Sequence, residues 1–156
     1  MENLIPGLLI LHIFGMILWL GASLTQYIFL SDALLNPVSE VRRWSMELNQ
    51  KINKTAVNMG LIISILTGVA LIFVHGMDWF RPRLYVHFKI SFGILAAGLA
   101  HMGMAKLRKA GTLLDQVADF DAVAYETLVK KWRLFLIFSL VILGTNVILA
   151  VFKFSK

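Results

Sequence analysis

All four histidines of this chain, His12, His75, His87 and His101, lie within or at the edge of long apolar runs. An ionisable side chain in hydrocarbon is costly and is a functional candidate by default. Neutral imidazole is a good iron ligand, and two imidazoles from facing helices can hold a haem b between them. Depth selects one pairing. At the rise of a helix, His12 lies roughly 12 Å inside the first run, and His87 roughly 5–8 Å inside the third. Antiparallel runs place both on the same side of the bilayer, so His12 and His87 are the expected axial pair. His101 follows His87 by 14 residues on the same helix face, about 21 Å deeper, so one haem cannot use both. His75 closes the second run and reads as an interfacial histidine or an alternative ligand. His101 reads as a proton relay, a substrate contact or a second metal ligand.

Other side chains could serve such a site. Lys89, Arg81 and Arg83 are the expected partners of a carboxylate such as a haem propionate; otherwise Lys89 snorkels to the headgroups and the two arginines are solvated. Trp19 shares a helix stripe with His12, Gly15, Ala22 and Gln26, and either lines the cofactor or packs. Ser91, Gly98 and His101 fall on the His87 side of the third run, which reads as an interior face. His101, Met102 and Met104 include soft donors that would suit Cu(I). Asn146 reads as an interhelical hydrogen bonder. Nothing supports hydrolytic chemistry: there is no carboxylate pair within a run, no nucleotide loop and no serine with a matched base.

The elements that must position these residues follow from composition. Of 156 residues, 58% are hydrophobic and 15% charged, against about half and a quarter in soluble domains. Mean hydropathy is +0.76. A soluble enzyme, a disulfide scaffold and a disordered tail are poor readings. The absence of cysteine removes disulfides, thiolate catalysis and iron–sulfur clusters. Four runs are long enough to span a bilayer: 3–30, 55–75, 84–104 and 128–152. The expected fold is a single all-α domain, an integral membrane bundle of four antiparallel helices. Residues 39–54 carry Val41, Trp44, Leu48 and Ile52 at helical spacing, an amphipathic extension of helix 2 or an interfacial helix. The 111–126 connection includes Val117 and Phe120 and reads as a short helix continuing the fourth span. Gly60, Ser64 and Gly68 form a small-residue stripe that suits either the bundle core or a homo-oligomer.

The net charge of +6 is a topology signal rather than a nucleic-acid footprint. Ten Lys and Arg flank the 1–2 and 3–4 connections, against four at the 2–3 turn and the C-terminus. That excess marks the cytoplasm. Both termini are expected on the outer side of a bacterial cytoplasmic membrane, with lipid as a partner and nucleic acid excluded.

Several motifs resemble a known family. They are His12 and Trp19 followed by Gly21, the entry Arg42-Arg43 leading to LTGVAL at 66–71, VHFK at 86–89 with His101 beyond, and VILAVFKF at 147–154. Together they are similar to the HemJ family, the bacterial membrane protoporphyrinogen oxidases, and to the related CopD-like copper-resistance membrane domain. The resemblance implies a four-helix haem b bundle with an oxidoreductase role, and the matching positions are His12, His87, Lys89 and His101. It implies a redox partner, or a quinone or porphyrinogen substrate. The chain departs from the family at GASLTQYIFLSDA, 21–33, and at KKWRLFLIF, 130–138. The alternatives are a copper-handling membrane protein and a non-catalytic subunit of a redox complex.

Overall fold

In hydrocarbon a backbone must satisfy its own hydrogen bonds, so apolar runs of this length can only be helical or part of a closed barrel. The computed structural model describes residues 4–116 and 120–151, and these are helical but for short connections. Helix α1, Leu4–Thr25, continues through a π-helical turn, Gln26–Leu30, and a tight 3₁₀ turn, Ala33–Leu35. Helix α2, Ser39–Ile52, passes through a second π turn, Asn53–Val57, into α3, Asn58–His75. Gly76 then stops the helix with φ +83, a left-handed conformation that glycine adopts without strain. A single turn, α4 (Met77–Phe80), leads to α5, Leu84–Asp115, and α6, Ala122–Val151, completes the bundle. The four helical stretches, 32, 37, 32 and 28 residues long, are apolar and long enough to cross a membrane.

The helices outrun the runs read from sequence. Polar residues 39–54 form one rod with the second span, in agreement with an amphipathic extension. Gly111 and its neighbours extend α5 rather than α6. Val117 lies outside the described residues.

Two antiparallel pairs make up the bundle. Within the first pair, Gly68, Ser64 and Gly60 of α3 meet His12, Gly15 and Trp19 of α1 in turn. A Cβ on Gly60 would lie 2.7 Å from the Gly15 carbonyl, and one on Gly15 would lie 2.9 Å from the Ser64 amide. The backbones therefore touch, as small residues allow in membranes, and the small-residue stripe is spent inside the chain. Within the second pair, Asn146 meets Lys89, Ser139 donates to the Ala96 carbonyl at 3.1 Å, and Gly103 lies under Trp132 and Phe135.

The two pairs are joined most firmly at the end where the 1–2 and 3–4 connections lie, called here the basic end. Leu34, Met46, Leu107, Ala110, Tyr125, Val129 and Trp132 form a buried cluster there. The Tyr125 hydroxyl donates to the Leu34 carbonyl at 2.9 Å, and Arg133 pairs with Asp32 at 3.0 Å. A smaller cluster of Trp19, Val57, Ala96 and Leu143 lies midway along the bundle. The opposite, terminal end carries the start of α1, the 76–83 turn and the end of α6.

One face assignment is corrected. The buried stripe of α5 is Ala96, Gly103, Met104, Leu107 and Ala110, because these small and apolar positions accept the side chains of α6. Ser91, Gly98 and His101, expected inside, are exposed. At 100° per residue, they fall away from the stripe that packs.

Candidate functional site

The terminal half of the bundle gathers polar groups around His12. Helix α1 presents this half-buried ring to α3, where Gly68 makes room for it: a Cβ there would lie 3.2 Å from the imidazole. The ring Nδ1 sits 2.9 Å from the Ser64 carbonyl and 3.1 Å from the Thr67 hydroxyl. A carbonyl can only accept, and the Thr67 proton goes to the Ile63 carbonyl. Nδ1 is therefore the protonated nitrogen and donates to both oxygens. This leaves the Nε2 lone pair free. Metal-bound histidines are held in this way, with the distal N–H anchored on a carbonyl that fixes the tautomer and the ring plane.

Lys89 enters from α5. It shares the helix face of Ala96 and is half-buried. Asn146 of α6 donates to the Lys89 carbonyl at 3.1 Å, which ties α5 to α6 at this depth and agrees with an interhelical hydrogen-bonding role. Two buried polar atoms in this half of the bundle, Ser64 Oγ and Asn146 Oδ1, and one in the central cluster, Trp19 Nε1, have no partner among the described residues. Trp19 is 2% exposed, so its indole N–H is enclosed without an acceptor. Such groups are normally satisfied by protein, water or a ligand.

The remaining candidates lie elsewhere. The His87 ring packs on Phe80 of the terminal turn, with centroids 4.3 Å apart. It points from the face of α5 opposite Ala96, half a helical turn from Lys89. The structure therefore holds His87 on the turn, turned away from the Lys89 face of α5. His75 stacks on Trp79 at 4.3 Å, and the Arg83 guanidinium lies 4.3 Å from the same ring while donating to the Trp79 carbonyl. Arg81 is exposed. His101 and Met102 are exposed whereas Met104 is buried, so these three donors do not converge. Among the described residues no three His, Asp or Glu side chains cluster in a way that could hold a metal; an axial haem pair needs only two ligands.

Sequence reasoning missed Thr67, and it read Ser64 only as a small packing residue. Two hydroxyl residues three apart in an apolar helix, opposite a histidine, were the available signal.

Asn146 supports a modest prediction. Interhelical hydrogen bonds in membranes average about 0.6 kcal/mol, and this side chain also buries an unpaired carbonyl oxygen. Asn146→Leu is expected to change stability by less than about 1 kcal/mol. Reversible unfolding in mixed micelles would show it, and a loss several times larger would mean that Asn146 has a further partner.

These features define a class, a four-span helical membrane protein with a polar site in one half of its bundle. Comparison with known proteins takes the assignment no further: no protein-family model, curated protein or solved structure matches the chain.

Proposed function

We propose that this chain is a membrane haem b protein that carries electrons, with His12 Nε2 as the nitrogen that would hold its iron, in the terminal half of the bundle. The anchored His12 ring is the observation that carries the reading. Its tautomer is set by the Ser64 carbonyl and its free nitrogen is a ready iron ligand. Lys89 would pair with an acidic substituent of the macrocycle. His87 is the weaker second ligand, because its ring would have to leave Phe80. Bound haem supplies one-electron cycling of its iron. The protein supplies an imidazole of fixed orientation and a low-dielectric surround, which are levers on potential.

The resemblance to the HemJ and CopD-like families supports an oxidoreductase role and a quinone, porphyrinogen or protein redox partner. The charge asymmetry supports a bacterial cytoplasmic membrane with both termini outside. An optical spectrum of detergent-purified protein, oxidised and then reduced with dithionite, tests the reading. A sharp Soret band with reduced α and β bands is expected. A featureless spectrum from protein made with ample haem would overturn it. The arrangement also predicts that His87→Ala retains haem. Loss of haem from that variant would restore the His12–His87 pair and require α5 to turn about its axis.

A further inference from the structure

All four helical stretches meet at one point, between the two buried clusters and roughly 16 Å along α1 from His12. A cavity of about 10 Å³ lies there, room for a single water molecule. Helices α5 and α6 close it with apolar side chains, among them Ala100, Met104 and Trp132. Its polar wall is Ser23, Gln26 and Asn53.

These three side chains come from converging backbones. Ser23 and Gln26 continue the buried stripe of Trp19 along the first span and are 1% and 2% exposed. Gln26 gives one amide proton to the Asn49 carbonyl at 3.1 Å, and the Asn53 backbone N–H donates to that same carbonyl. One acceptor thus pins the Gln26 amide against the start of the second π turn. Gln26 opens the first π turn and Asn53 opens the second, and such turns recur at functional sites. After its bond to Asn49, Gln26 keeps an amide oxygen and a second N–H, and Ser23 brings a hydroxyl that can both donate and accept. Protein groups alone do not satisfy this seam: Asn49 Oδ1 is buried there without a partner among the described residues, where native structures rarely leave one.

Size and polarity select the occupant. Dry cavities are apolar, whereas buried polar ones take water. Among the described residues no charged side chain lines this cavity, so a cation would lose its hydration without a counter-charge. We propose that the cavity binds one water molecule, held by Ser23, Gln26 and Asn53, which cross-links the first span to the second at their π turns. Three partners are the usual number for buried water, and a bridging water is nearly as good enthalpically as a direct hydrogen bond.

The test is nuclear magnetic resonance of the full, nitrogen-labelled chain in detergent micelles. Cross-peaks between the water signal and the Gln26 side-chain amide protons are expected, with the sign that marks a long-lived bound molecule. Ser23→Ala removes a hydroxyl whose own exchange with solvent would mimic that signal, and it leaves two partners, so the cross-peaks should persist. Ala100→Val fills the cavity with methyl groups and should abolish them while circular dichroism stays unchanged. Absence of the cross-peaks in the wild type, their loss in Ser23→Ala, or their full survival in a folded Ala100→Val protein would overturn the proposal. So would a Gln26 amide shift that follows sodium concentration at constant ionic strength, because the occupant would then be a cation.

Discussion

His12→Ala is expected to lower haem per chain at least tenfold and to remove the reduced α and β bands. The imidazole is the only His12 group aimed at the site, and an alanine methyl offers no lone pair. Removing even an outer-shell partner of a metal ligand typically costs 10–100-fold in affinity, and removing the ligand costs more. The variant should still fold. The ring is half-buried, and its loss frees the Ser64 carbonyl, which belongs to a helix and keeps its backbone partner. Circular dichroism should match wild type while the pyridine haemochrome assay falls to background. Full haem content in a folded His12→Ala protein would move the ligand to another histidine and remove the basis of the proposed site. Added imidazole should restore part of the spectrum, since the cavity left behind matches it.

Gly60→Leu is the second large effect. Gly60 sits where α3 crosses α1, against the Gly15 carbonyl and the backbone of Trp19. The obstruction is backbone, which cannot swing aside as a flexible side chain would. Inserting a leucine must push the two helices apart. Overpacking typically costs about 1–3 kcal/mol, and a backbone contact belongs at or above the top of that range. Wedging the pair open also moves Ser64, four residues on, away from His12. Stability in mixed micelles should fall by about 3 kcal/mol and haem retention should fall with it. Gly98→Leu is the control: a Cβ there meets nothing within 4 Å, and little change is expected. Equal behaviour of the two variants would mean that α1 and α3 do not pack through Gly60.

The membrane class and the four spans were legible because hydrocarbon admits so few backbone solutions. Length and hydropathy alone fix the element type, and Gly76 marks the end of α3 as a terminating glycine should. Facing was harder. In a soluble protein a polar stripe marks the outside, but in lipid the outside is also apolar. Ser91, Gly98 and His101 looked interior because small and polar residues often are, yet α6 packs on Ala96, Gly103 and Ala110. The π turns at Gln26–Leu30 and Asn53–Val57 were invisible, since each is one residue of extra winding with no sequence marker. The holding of His12 by Ser64 and Thr67 joins residues more than 50 positions apart, and only the register of α1 against α3 reveals it.

The pairing of α1 with α3 and of α5 with α6 has a consequence for biogenesis. Each hairpin closes between neighbours in the chain, so the first can be complete while the ribosome is still making the second. Low contact order of this kind favours rapid, domain-like assembly. The only covalent link between the two halves is the short 76–83 turn, and their firmest joint lies at the far end of the bundle. A gene split within that turn should therefore yield two fragments that insert separately and find each other in the bilayer. The terminal end, away from that joint, would be the last part to close.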